Sequence, residues 1–118
     1  MSTKHGDIKS FTYAITGIKT AIKEEPNLKV HLILAVLAII MGIFLNINPT
    51  EWSILAIAIV TVIVLEFINT SIEAIVDLVS PKIAHKAKVA KDVAAGAVLV
   101  AALSAVIIGI AIFAPKIL

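Results

Sequence analysis

No cysteine occurs in the chain, so disulfides and thiolate chemistry are excluded and the redox compartment leaves no mark. Arginine is absent as well: all ten basic residues are lysines, and the net charge is only +2. A dense Lys/Arg face, the footprint of a nucleic-acid binder, is therefore missing, and no nucleic-acid partner is expected. Charged residues make up 15% of the 118, against 60% apolar. A water-soluble domain of this size needs far more polar surface. The apolar residues come in long blocks, which points to a bilayer as the main solvent. The N-terminal region has no short apolar core before a small-residue cleavage site, so no cleavable signal is expected.

The organisation follows from where the apolar blocks break. Residues 7–25 read as an amphipathic helix. Ile8, Phe11, Ile15, Ile18 and Ile22 recur at spacings of three and four, within a stripe of roughly 80°. Lys9, Lys19 and Lys23 flank the stripe, a pattern that suits a helix lying on a membrane surface and equally one packed on other helices. Pro26 interrupts it and biases Glu25 away from helical geometry. A first span is expected over 28–47. Asn48-Pro49-Thr50-Glu51 reads as a helix start: Asn48 as cap, Pro49 in the first turn, Glu51 three residues after the cap. Trp52 follows at a natural interface depth. A second, longer span is expected over 49–80, stopped by Ser80-Pro81, and a third over 88–115 after a basic linker. In the third, Ala97, Ala101, Ala105 and Gly109 form a small-residue ridge that invites close helix approach. The fold class is thus an all-α membrane protein, a surface helix plus three transmembrane helices, in one domain covering 1–118.

Lysine placement sets the orientation. Lys4, Lys9, Lys19, Lys23 and Lys29 precede the first span; Lys82, Lys86, Lys88 and Lys91 lie between the second and third; the loop between the first two has none. The positive-inside rule puts the N-terminus and the basic linker in the cytoplasm.

The second span carries the chemistry. Glu66, Asn69, Glu73 and Asp77 are spaced by three, four and four, which places them on one helix face. A charge at span depth costs on the order of 3 kcal/mol at the bilayer centre. Glu66 lies fourteen residues beyond Trp52, roughly 21 Å along the axis, near the far border of the bilayer. Acids sharing a face repel one another unless a proton or cation intervenes, and oxygen ligands suit Mg²⁺. Alone, the stripe is also readable as an ion pathway, or as polar packing between helices, the latter mainly for Asp77 near the helix end. No G-x-x-x-x-G-K-[ST] loop occurs, which argues against an ordinary P-loop ATPase.

The run Glu66-Phe-Ile-Asn69-Thr-Ser-Ile-Glu73-Ala-Ile-Val-Asp77, with Ala90-Lys91-Asp92 and Ala94-Ala95-Gly96-Ala97-Val98 downstream, resembles the signature of the prokaryotic diacylglycerol kinases, a family that includes undecaprenol kinases. Glu25-Pro-Asn-Leu-Lys-Val-His31 resembles that family's acid-containing segment before the first span. The resemblance implies a homotrimeric enzyme of the bacterial inner membrane that phosphorylates a lipid hydroxyl with ATP and Mg²⁺, its active sites shared between subunits. By the same resemblance Glu66 would be the general base and Asn69 would position the reacting groups. Glu25 and Glu73 would hold the metal. Tyr13, Asp77, Lys91 and Asp92 would contact the nucleotide. Diacylglycerol and undecaprenol are both candidate acceptors. The Glu25–His31 segment and Thr50-Glu51-Trp52 look more like the Gram-positive branch, which leans the expectation to undecaprenol. One departure stands out: many relatives carry Glu-Tyr-His in the linker where this chain has Lys82-Ile83-Ala84, with His85 one place later. The rival of another class is a non-enzymatic three-span oligomer conducting ions along the acidic stripe.

Overall fold

The computed structural model describes residues 4–82 and 84–118, with the side chains of Lys4 and His5 left out; Ile83, one of the departing linker positions, falls outside the described residues. Four helices follow one another: α1 (Lys4–Glu24), α2 (Pro26–Phe44), α3 (Pro49–Val79) and α4 (His85–Ile117). The last three are each long and apolar enough to cross a membrane.

The hydroxyls of α1 fold back onto its own backbone. Ser10, Thr12, Thr16 and Thr20 each donate to the carbonyl four residues earlier, at 2.7–3.1 Å. This satisfies them without solvent. The apolar stripe is largely uncovered: Ile8, Phe11, Ile15 and Ile18 are exposed, and only Ala21 and Ile22, near the end of α1, are covered by the rest of the chain. Intramolecular packing therefore leaves most of the stripe free for a membrane surface. Glu25 is the break. Its backbone is extended (φ −106°, ψ 105°), and its side chain does not cap the helix it precedes. The carboxylate is thus left to other partners.

α2 turns into α3 within four residues. Its end is a Schellman turn: Ile47 N–H donates to Gly42 O (3.2 Å) and Asn46 N–H to Ile43 O (3.3 Å). Asn46 takes the left-handed conformation this requires, at φ 53°. That stops the span at Phe44, short of the expected residue 47. Asn48 then forms a complete capping box. Its Oδ1 accepts from Glu51 N–H (2.8 Å), and Glu51 Oε1 accepts from Asn48 N–H (3.0 Å). Across this turn the Trp52 indole lies on Gly42, where an added Cβ would sit 2.7 Å from Trp52 Cη2. Ile47, Leu55, Ile112 and Phe113 form the core beside it, flanked by Trp52, Ala38 and Ile108. Lys116 Nζ, from the last turn of α4, reaches Glu51 Oε1 at 3.2 Å.

α3 is the axis of the molecule, packed mainly along α4 and less against α2 and α1. Its buried residues are Leu55, Ala58, Val62, Glu66 and Asn69, at spacings of three and four. One packing face thus begins apolar and ends polar. On α4, Ala94, Val98 and Ile112 are buried, whereas the small-residue ridge is only partly covered. Ala97 is exposed, Ala101 and Ala105 are half-buried, and a Cβ at Gly109 would meet nothing within 4 Å. α4 begins at His85, three residues before the expected Lys88, because Lys88 N–H already donates to Ala84 O (3.0 Å). The chain forms a slab of 51 × 42 × 22 Å whose thin dimension is about two helix diameters. Its flanks expose large apolar side chains such as Ile33, Leu37, Ile57 and Leu103.

Candidate active site

At the acidic end of α3 two helices meet at one carboxylate. Glu66 is 3% exposed, held on the packing face that also buries Val62 and Asn69. From α2, His31 places Nε2 3.5 Å from Glu66 Oε1. The other oxygen, Oε2, is buried with no hydrogen-bond partner. Burial normally selects for paired polar atoms, so an orphaned carboxylate oxygen marks a place built for something else to occupy. One turn further along α3, Asn69 Nδ2 donates to Glu73 Oε1 at 3.2 Å, which leaves Asn69 Oδ1 buried and unpartnered.

Glu25, at the α1–α2 break, belongs to the same cluster. Its carboxyl is pushed above the ordinary carboxylate range, first by burial and then by the negative charges of Glu73, Glu66 and Glu24. Among the described residues no three acids or histidines stand close enough together to form an all-protein metal cage. A pair of carboxylates under mutual repulsion nonetheless fits the manner in which Mg²⁺ is usually held, by one or two carboxylates with the remaining positions left to water and phosphate.

The remaining expected residues fall into two groups. Asp77 and Lys91 meet: Lys91 Nζ donates to Asp77 Oδ1 at 2.8 Å, bridging the end of α3 to the start of α4. The pair is half-exposed, so the ammonium is placed but still open to solvent. Asp92 is turned instead to Lys88 on its own helix, in an exposed ion pair. Tyr13, 63% exposed, borders an open concavity of about 590 Å³ between α1 and α3, with Thr16, Thr20, Phe67 and Ser71. No hydrogen bond joins it to Lys91 or Asp92 among the described residues. His31 had no expected role. Its signal in the sequence is its register: with Leu28 and Ala35, both buried, it shares the α2 stripe that turns inward.

The family model of the prokaryotic diacylglycerol kinases matches residues 12–113. The chain belongs to the prokaryotic diacylglycerol kinase family. Among individual relatives, it is 42% identical over 108 residues to the undecaprenol kinase of Bacillus subtilis strain 168, covering 92% of this chain and 88% of that one. It is 38% identical over 110 residues to a diacylglycerol kinase of Synechocystis, where it spans 92% of its own length and 63% of the relative's. To the diacylglycerol kinase of Escherichia coli K12 it is 28% identical over 100 residues. The resemblance drawn from the Glu66–Asp77 run is therefore correct, and the chain is a multi-pass membrane enzyme, a lipid kinase with an alcohol acceptor. A kinase of this family implies a lipid substrate and ATP as phosphoryl donor. The non-enzymatic ion conductor gives way to that membership.

Proposed function

We propose that the chain transfers the γ-phosphoryl group of ATP to the hydroxyl of a membrane lipid, with undecaprenol favoured over diacylglycerol and Glu66 as general base. The observation that carries this reading is the buried, unpartnered Glu66 Oε2 at the border of the span. A carboxylate with one oxygen engaged and one free is set to receive a hydroxyl proton. Asn69, one turn further on the same face and fixed through Glu73, helps position the reacting groups. Glu25 and Glu73 would hold Mg²⁺, which when bound neutralises charge on the donor's phosphates. Lys91, kept in place by Asp77, supplies a cation that exchanges this carboxylate for phosphate oxygens. Asp92 and Tyr13 contribute to nucleotide binding from the exposed rim. The rest of the task is alignment, the main demand of phosphoryl transfer.

The same reading places the enzyme in the bacterial inner membrane with its N-terminus and acidic end in the cytoplasm, where ATP is. It takes one catalytic domain over 1–118, assembled as a homotrimer. The partly uncovered ridge at Ala97, Ala101, Ala105 and Gly109 supports subunit packing. The lean to undecaprenol rests on the Gram-positive character of the Glu25–His31 segment and on similarity to the Bacillus subtilis relative. The test is ATP-dependent phosphorylation of undecaprenol and of diacylglycerol by the purified protein in mixed micelles, with Mg²⁺ titrated. Turnover of undecaprenol with the higher kcat/KM is expected. Preference for diacylglycerol would reverse the lean, and no turnover of either would remove the assignment.

A further inference from the structure

A general base buried in a helix seam needs one oxygen tethered and the other free, or the carboxylate rotates and the free oxygen is lost to the wrong neighbour. Among the described residues, the acids closest in charge to Glu66, Glu25 and Glu73, repel its carboxylate and cannot tether it. The α4 residues that line the neighbouring apolar groove, Ala102, Ala105, Val106, Gly109 and Phe113, carry no polar side chain, nor do the buried Ala94 and Val98. On α3, Thr70 donates its hydroxyl to the Glu66 carbonyl (2.9 Å) and not to the carboxylate. Asn69 gives one of its amide hydrogens to Glu73 and makes no hydrogen bond to the Glu66 carboxylate. The α2 imidazole is the donor that approaches: His31 Nε2 stands 3.5 Å from Oε1, while Oε2 has no partner.

We infer that His31 is a positioning residue for the phosphoryl-transfer step: its Nε2–H holds Glu66 Oε1 so that Oε2 is the oxygen presented to the lipid hydroxyl. The inference rests on the reading of Glu66 as base. In the step it serves, the hydroxyl oxygen forms a bond to the γ-phosphorus, the bond from that phosphorus to the bridging oxygen breaks, and its electron pair leaves on ADP. The hydroxyl proton passes to Oε2. His31 touches neither phosphorus nor lipid oxygen. An imidazole with hydrogen on Nε2, whether neutral or protonated, attracts Oε1. The distance is longer than an ordinary hydrogen bond, as catalytic contacts in ligand-free sites often are. His31 also borders the apolar groove of about 230 Å³ between α2, α3 and α4. At 21% exposure it is far less free than a surface histidine.

The test separates reach from polarity. Gln carries a donor at the distance of Nε2; Asn is equally polar but one bond shorter. The parent, His31→Leu, His31→Asn, His31→Gln and Glu66→Gln are compared for kcat and for KM of ATP in micelles, with thermal stability measured in parallel. His31→Leu and His31→Asn are expected to lower kcat about 10- to 100-fold with KM for ATP within about threefold of the parent. His31→Gln is expected to recover most of that loss. Equal kcat for His31→Gln and His31→Asn overturns the inference, as does a His31→Leu enzyme within twofold of the parent. If His31→Leu fails to fold, the Gln and Asn pair decides alone. Activity in Glu66→Gln overturns the base reading itself, whereas an inactive Glu66→Gln with a fully active His31→Asn overturns His31 only.

Discussion

The two ends of α3 are built on opposite principles. At the hairpin end the capping side chains are paired. Asn48 and Glu51 cap one another, Glu51 also meets Lys116, and the Schellman turn satisfies the last carbonyls of α2. At the acidic end the same helix carries two buried oxygens with none, on Glu66 and Asn69, and beside it the α1–α2 break holds Glu25, a carboxyl that burial and the neighbouring acids keep above its ordinary range. Unsatisfied groups of this kind cost stability, so their persistence belongs with function, while the hairpin end belongs with assembly of the chain. Variants in the two regions are expected to separate cleanly into those that lose turnover and those that lose stability.

The largest effect is expected at Glu66. Glu66→Gln keeps the shape but cannot accept a proton, so turnover should fall at least ~100-fold while resistance to denaturation is unchanged or improved. Assay and unfolding on one preparation decide it; a variant that loses stability and keeps activity would erase the contrast. At the other end, Gly42→Leu would drive a side chain into the Trp52 indole, already 2.7 Å from a bare Cβ. Overpacking of this kind costs ~1–3 kcal/mol. Unfolding in mixed micelles measures it, and shrinking the indole with Trp52→Leu should recover part of the loss; activity per folded molecule should stay near the parent's.

Metal dependence sharpens the comparison at intermediate size. Glu25→Ala and Glu73→Ala should each raise the Mg²⁺ concentration for half-maximal rate by ~10-fold or more. The pH sign follows from the raised Glu25 carboxyl. Its folded form holds a proton more tightly than the unfolded chain does. Its contribution to stability is therefore fully present at pH below the unfolded value and is lost as pH rises through the raised folded value. Cation binding needs the ionised form, so the Mg²⁺ requirement should fall as pH rises through the same window, and this dependence should flatten in Glu25→Ala. A metal titration repeated across pH reads both. The smallest effect is expected for Lys116→Met, which removes the ion pair to Glu51 but leaves the capping box: ~0.2–1 kcal/mol of stability and no change in kcat. An activity loss there would show that the hairpin end is coupled to the site after all.

Much of this contrast was legible in the chain itself. Asn48-Pro49-Thr50-Glu51 announces a cap because its partners are three residues apart. The acids of α3 share a face because helical periodicity is local. The contacts that cross between helices were not legible in this way. Nothing in the spacing within α2 or α3 says that His31 meets Glu66, that Trp52 lies on Gly42, or that Lys91 is paired with Asp77. Each depends on how one helix is rotated and slid against another, which is decided by packing over the whole seam. The start of α4 was missed for a related reason. Ala84 caps without a side-chain hydrogen bond, so no Ser, Thr, Asp or Asn signals the entry at His85.

One dimension of α3 ties the enzyme to the lipids around it. Its 31 residues make a rod of roughly 46 Å, against roughly 30 Å of hydrocarbon in an ordinary bilayer. Held upright, with Trp52 anchoring the opposite end, the rod projects by about three turns, the ones bearing Glu73 and Asp77; tilting shortens the projection. Hydrophobic mismatch then becomes a variable of the site. A thicker bilayer draws these carboxylates toward hydrocarbon, and a thinner one lifts Glu66 into the headgroups. Acyl-chain length in the host membrane sets the polarity in which the acids work, quite apart from the lipid being phosphorylated.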